Sequence, residues 1–316
     1  MNDLPPLHVA FTMNCEGASS RDSSTAPRSW EQGARTMGAF CGRLLEAGYP
    51  PTLFVAPDCA DEQAPILEEL ASRGCELGVF LSPTMVSEGR YRQPFGAFTA
   101  RQQRELVEVA AERFESALGI QPRSFRAQHY SASDETFRTL FELGFRQSSL
   151  SSPGRNAPRE HAVWRNANPD PHHVDPANRL IAGAMPFLEL PVTTNPAQVD
   201  REGSPDDLCI ERGPFAAWHK PIIEQQLARM DAAQTRFRAL CIVTSNSMLY
   251  TRPGEQPQVQ LGAFTSRGRR PISQSVNDVH TETLVALLDL FDSLAARYTI
   301  VPVTLAAAHD AFRRMS

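Results

Sequence analysis

No stretch of this chain stays apolar for the roughly 18 residues that a membrane-spanning helix needs. Its first residues, MNDLPPLHVAFTMN, have neither the basic start nor the apolar block of a secretory leader. A cytoplasmic protein without a membrane partner is the expectation. The six cysteines (Cys15, Cys41, Cys59, Cys75, Cys209 and Cys241) form no Cys-x-x-Cys pair, which argues for reduced thiols used as small apolar fillers. No dense run of Lys and Arg interleaves with aromatics, and the net charge is -5, so nucleic acid is not an expected partner. No glycine-rich loop follows any strand-like run, which removes the usual cradle for nucleotide phosphates. Histidine is scarce: there are 8, and none are paired at a chelating spacing. The adjacent His172 and His173, with Asp175 beyond, are the one local cluster of metal-ligand residue types, and adjacent histidines do not both face one ion.

What is present is a chain of 316 residues with 41% hydrophobic content, long enough to bury a large core. Strand-like and helix-like runs alternate from end to end, which argues for an α/β protein with a mostly parallel sheet or barrel. The strand-like runs are HVAFT, PPTLFVAPD, CELGVFLSPT, Pro122 to Phe125, FRQSSL, FLELPV, LCIVT and the near-terminal YTIVPV. Between them lie helical periodicities. Trp30 to Glu46 follows Ser29 as N-cap, Pro65 to Arg73 is short, and Thr99 with Gln102 or Gln103 caps a run to Leu118. Further helices are expected over Pro214 to Met230, Ser275 to Arg297 and Leu305 to Arg313. Residues 151–185 break the rhythm with Pro, Asn and Asp, and residues 246–274 read as a long loop. Nothing resembles a repeat or a linker, so one domain over 1–316 is expected.

In such a fold the chemistry sits at the carboxyl ends of the strands. The first strand ends at Asn14, Cys15 and Glu16, the third at Phe80 and Ser82, and the fourth at Arg126 with His129 and Tyr130 behind it. The seventh runs into Thr244, Ser245, Asn246 and Ser247. Glu16 is a candidate base, Arg126 a candidate for orienting it or for binding an anionic group, and His129 a candidate acid or base, because its reference pKa lies near neutrality. Asn14, Cys15, Phe80, Ser82, Tyr130, Ser245 and Asn246 are candidate ligand contacts. Cys15 lacks the neighbouring cation or imidazole that a reactive thiolate requires. His219 and His280 sit in helical runs and read as packed residues.

The phrases FTMNCEG, PTLFVAPD, RGCELGVFLSPT, LGIQPRSFRAQHYSASDETFRTLFELGFRQSSL, FLELPV and YTIVPVTL stand in an order that resembles the NodB-homology polysaccharide deacetylases, carbohydrate esterase family 4. The resemblance implies a distorted (β/α) barrel with about seven parallel strands. It also implies a divalent metal held by one Asp and two His, activating water for amide hydrolysis. Carried over position by position, the family's adjacent aspartates fall at Asn14 and Cys15. Its metal histidines fall at Phe80 and at Thr84 or Ser82, and its late histidine falls at Thr244 or Ser245. No metal and no other cofactor is therefore expected.

Two functions follow as expectations. One is a deacetylase-like pseudoenzyme in carbohydrate metabolism that has lost metal-dependent hydrolysis and binds a carbohydrate or a small amide in the barrel mouth. The alternative is a metal-independent hydrolase of C–N bonds, allantoinase-like or an N-deacetylase, using Glu16, Arg126 and His129. The residues leave the oligomeric state open.

Overall fold

The computed structural model describes residues 4–18, 26–248, 250 and 278–315. Most of the loop expected over 246–274 lies outside the described residues. The first strand, β1 (Pro6–Cys15), is buried along nearly its whole length, as a central parallel strand covered on both faces must be. It pairs along Leu7 to Asn14 with β12 (Arg238–Ser245). Its other edge is shared: β2 (Thr52–Val55) takes Thr12 to Cys15, and β13 (Thr299–Pro302) takes Pro6 to Val9. The sheet continues through β3 (Glu76–Leu81), β4 (Ser124–Ala127), β5 (Gln147–Ser148) and β9 (Leu188–Glu189), all parallel. It ends on β8 (His172–His173), which runs antiparallel to β9. The curl toward β12 is completed by single hydrogen bonds: Val192 N donates to Ser151 O at 2.9 Å and Thr193 N to Cys241 O at 3.2 Å. The alternation of elements argued for a mostly parallel sheet or barrel, and this is the distorted parallel barrel that the resemblance implies.

The helices follow the periodicity. Helix α1 (Trp30–Glu46) opens on Ser29, whose side chain accepts from Gln32 N, and buries Met37, Phe40, Cys41 and Leu44. Helix α4 (Ala100–Leu118) starts with a reciprocal capping box between Thr99 and Gln102. Two boundaries differ from the sequence reading, both through proline. Helix α2 runs Pro57–Ser72 instead of beginning near Pro65; it is kinked at Gln63 and carries Pro65 inside it, where the ring costs a backbone hydrogen bond. Helix α6 begins at His219 and runs to Ala232. Pro221 has no N–H to give a helix begun at Pro214, but it fits within the first turn. The remaining helices are α3 (Pro83–Val86), α5 (Thr136–Glu142), α7 (Asp278–Leu294) and α8 (Leu305–Met315).

The stretch 151–185 is not structureless. A small hairpin, β6 (Asn156–Ala157) with β7 (Ala162–Val163), forms near its start, and β8 joins the main sheet. A second hairpin follows, β10 (Thr194–Val199) with β11 (Pro205–Asp207). His172 gives Nδ1 to a contact with Asp170 O at 2.8 Å, and the ring of His173 packs against His309 and Phe312 of α8. Both histidines serve the sheet edge.

The amino ends of the strands are closed by polar contacts centred on Glu76. Its carboxylate accepts from Thr52 Oγ1 at 3.1 Å, from Ser124 Oγ, and from the backbone N–H of Ala306 at 2.9 Å. The last of these belongs to the first turn of α8, where the helix dipole favours a negative charge. Close by, Gly78 lets β3 approach β4: a Cβ there would stand 2.7 Å from Ser124 O. Gly78→Ala is expected to cost about 1–3 kcal/mol by overpacking. The cost should show in urea unfolding as a lower midpoint at unchanged slope.

Candidate functional site

At the carboxyl ends of the strands lies a cavity of about 510 Å³, within the size range of small-molecule sites. Its floor is formed by Asn14 from β1, Phe80 from β3 and Arg126 from β4. Arg126 is fully buried. Nε donates to Ser149 O at 2.9 Å, Nη1 to Thr12 Oγ1 and Asn14 Oδ1, both at 3.0 Å, and Nη2 to Ser149 Oγ at 2.8 Å. Its carbon lies 4.2 Å from the centre of the Phe54 ring, a cation–π contact that spreads the charge.

After β4 the chain makes a tight turn, Gln128 to Tyr130, in which His129 and Tyr130 both adopt positive φ, 59° and 60°. A side chain in this left-handed region costs roughly 1–2 kcal/mol per residue, and strain of this kind collects at functional sites. The turn is held by Trp164, whose Nε1 donates to Tyr130 O at 2.8 Å. Tyr130 is thereby placed in the cavity wall between Arg126, 6.0 Å from its ring centre, and Arg155, at 5.7 Å. Burial pushes the Tyr130 phenol far above its ordinary pKa, so it is a neutral hydrogen-bonding wall. His129 also lines the cavity, half exposed, with Nδ1 3.6 Å from Glu160.

The facing wall comes from the stretch after β11. Glu211 accepts from Thr244 Oγ1 at 2.7 Å, from Ser245 N at 2.8 Å and from Cys209 Sγ at 2.6 Å. Thr244 in turn meets Tyr250 OH at 2.6 Å. Buried Asp207 is 3.5 Å from Arg212 Nε, and burial raises its pKa. The Cys209 thiol is pushed well up by burial and by the Glu211 and Asp207 carboxylates, which keeps it protonated and a poor nucleophile.

The candidates named from the sequence divide. Asn14, Phe80, Arg126, His129, Tyr130 and Ser245 line the cavity; Glu16, Cys15, Ser82 and Asn246 are not among its lining residues. Glu16 is buried, and its backbone is clasped by Asn246, with Glu16 N donating to Oδ1 at 3.1 Å and Nδ2 donating to Glu16 O at 2.9 Å. Cys15 is turned into the core, donating toward Met13 O. Its thiol is raised by burial and by nearby Cys59, Cys75 and Glu16. Ser82 acts one step back, donating to Gln128 Oε1 at 2.9 Å. Arg126 and His129 therefore share the cavity, and Glu16 does not join them. Arg155, Asp207, Cys209, Glu211 and Arg212 were missed because they lie in or beside short hairpin strands and turns, too brief to show a helical period. One signal was legible: Asp207-Leu208-Cys209-Ile210-Glu211 alternates polar and apolar, and Leu208 and Ile210 are fully buried.

The resemblance implies a metal held by an Asp and two His. The corresponding positions offer an amide at Asn14, an apolar ring at Phe80 and hydroxyls at Ser82 and Thr84, and this donor set does not fit a divalent cation. Among the described residues no group of three or more His, Cys, Asp or Glu is arranged to hold a metal.

Below the cavity, fully buried Glu189 accepts from Leu150 N at 2.8 Å, Ser151 N at 2.6 Å and Ser148 Oγ. Burial raises its pKa to about 6, against the lowering effect of these bonds and of Arg126. Between about pH 4.5 and 6 the folded chain keeps a proton that the unfolded chain has released. This contribution is thus most favourable below the window and is lost as pH rises through it. Measured by urea unfolding across pH, the wild type is expected to lose roughly 2 kcal/mol relative to Glu189→Gln through that window. A flat difference would contradict the assignment.

No family model matches the chain, and no curated protein matches it. Solved structures do. A probable polysaccharide deacetylase of Pseudomonas aeruginosa PAO1 superposes with a TM-score of 0.60 at 13% identity, over 98% of this chain and 91% of that one. One from Mycobacterium smegmatis gives 0.58 at 16% identity, over 99% and 92%. PuuE allantoinase gives 0.58 at 12% identity, over 98% and 90%. At these identities the likeness establishes architecture: the chain has the polysaccharide-deacetylase fold.

Proposed function

We propose that this chain is a deacetylase-fold protein without metal-dependent amide hydrolysis, and that it binds a carbohydrate or a small amide in the mouth of the barrel. The observation that carries this reading is the combination of an open cavity at the strand ends with an unsuitable donor set where the fold's metal would sit. The cavity has what a polyol or amide requires: an aromatic wall at Tyr130, an amide at Asn14, hydroxyls at Thr244 and Ser245 and a carboxylate at Glu211. A hydrolase using Glu16 with Arg126 and His129 is less favoured, because Glu16 lies outside the cavity lining. The same reading makes a small molecule the partner, and neither nucleic acid nor a membrane. No described helix is long and apolar enough to cross a membrane, and we place the protein in the cytoplasm, working as one domain.

Calorimetric titration with N-acetylglucosamine oligomers and with cyclic amides, followed by chromatography of the ligand, tests this proposal. Saturable binding without ligand consumption is expected, weakened about tenfold by Tyr130→Ala through loss of the stacking wall. Release of acetate or ring opening would overturn the non-hydrolytic reading, as would a stoichiometric transition ion that survives dialysis and is lost in an Asn14 variant.

A further inference from the structure

Of the charged side chains around the cavity, most have an opposite charge close by. Arg155 meets Glu160 and donates to Ser204 Oγ at 3.0 Å, and Arg212 faces Asp207. Arg126 differs. All its hydrogen-bond partners are neutral: a threonine hydroxyl, an asparagine amide oxygen, a backbone carbonyl and a serine hydroxyl. One Nη2 N–H of the guanidinium fork is left without an acceptor among the described residues. Buried Glu189 feels the Arg126 charge through space. It makes no hydrogen bond to Arg126, and its oxygens are engaged by Ser148, Leu150 and Ser151. On the other side of Tyr130, Arg155 is only 8% exposed, and its Nε has no partner. Two buried guanidinium groups thus flank one aromatic ring in the cavity wall, and each has a donor to spare.

A buried cation whose hydrogen-bond partners are all neutral favours an anion from solution, because the desolvation cost is already met by the fold and the ligand adds a charge-assisted attraction. From this geometry we infer that the cavity selects ligands bearing a carboxylate, seated at Asn14 beside Tyr130 in the field of the buried Arg126 charge, with Arg155 in support. The inference rests on the proposed carbohydrate-binding reading and narrows it to acidic sugars. A carboxylate is favoured over a phosphate by the facing wall. Asp207 and Glu211 line the same cavity and offset its cations; a dianion doubles attraction and repulsion alike, so the singly charged carboxylate is the anion that these two acids oppose least. Glu211, held by three neutral donors, is suited to accept from a sugar hydroxyl at the other end of the ligand.

Matched pairs read by calorimetry test the inference: glucuronate against glucose, N-acetylmuramate against N-acetylglucosamine, and glucose 6-phosphate as the phosphate arm. The acid is expected to bind at least about tenfold tighter than its neutral partner, as a charge-assisted hydrogen bond permits. Asn14→Asp, an isosteric change that sets a carboxylate against Arg126, should bring the acid-to-neutral ratio down to about one. Asn14→Ala removes the same amide without adding charge and should leave the ratio high, which separates neutralisation of Arg126 from general damage to the site. Arg155→Gln should lower the ratio several-fold. Neutral sugars binding as well as acids, or a ratio untouched by Asn14→Asp, would overturn the inference while leaving carbohydrate binding intact. Tighter binding of the phosphate would replace carboxylate by phosphate. Failure of every sugar to bind would remove both readings.

Discussion

The cross-strand hold of Arg126 is the interaction on which the upper half of the barrel depends. One side chain from β4 reaches Thr12 and Asn14 on β1, the carbonyl and hydroxyl of Ser149 beyond β5, and the ring of Phe54 on β2. Burying a full charge costs several kcal/mol even after relaxation. Such a group persists when hydrogen bonds and a polarisable ring surround it, and here they draw separate strands to one point. The same contacts set the floor of the cavity, so the packing of the barrel and the electrostatics of its mouth share one cause.

The two ends of the barrel are built oppositely. At the amino ends the polar groups are closed on one another: Glu76 gathers Thr52, Ser124 and the first turn of α8, while His309 Nδ1 meets Gln147 Oε1 at 3.2 Å. Burial and the neighbouring His173 and Arg313 lower the His309 pKa to about 4, so the ring is neutral and serves as a packing group. At the carboxyl ends polar groups are held apart around open space, and two consecutive residues carry left-handed backbone strain to place a phenol there. Polar groups gathered on Glu76 at the base and polar groups set around open space at the mouth follow the division between stability and function that parallel barrels show.

The donor set at the mouth bears on chemistry more directly than the fold does. A shared architecture at identities below 20% leaves reaction and ligand to be argued from the site. Here the site has cations, an aromatic wall and two carboxylates, and its one lining thiol is held protonated by burial and by those two acids. These groups suit the polar ligand proposed above, and burial makes the thiol a poor nucleophile.

The fold was readable because the hydrophobic periods of α1 and α4, their Ser29 and Thr99 caps and the β-rich runs are local properties, each decided within a few residues of chain. The place of Asn14, Phe80, Arg126 and Tyr130 was legible for a related reason: in a parallel barrel the end of a strand is the mouth. Helix starts at Pro57 and His219 were harder, since proline marks both a first turn and a break. Tertiary structure alone decided that Glu16 stays out of the cavity lining and that Arg155, Asp207 and Glu211 complete it. Those three come from short or irregular segments, carried to the mouth by pairings such as Cys209 with Val243. Which way a strand-end side chain turns is set by neighbours distant in sequence, and residue spacing along the chain carries no record of them.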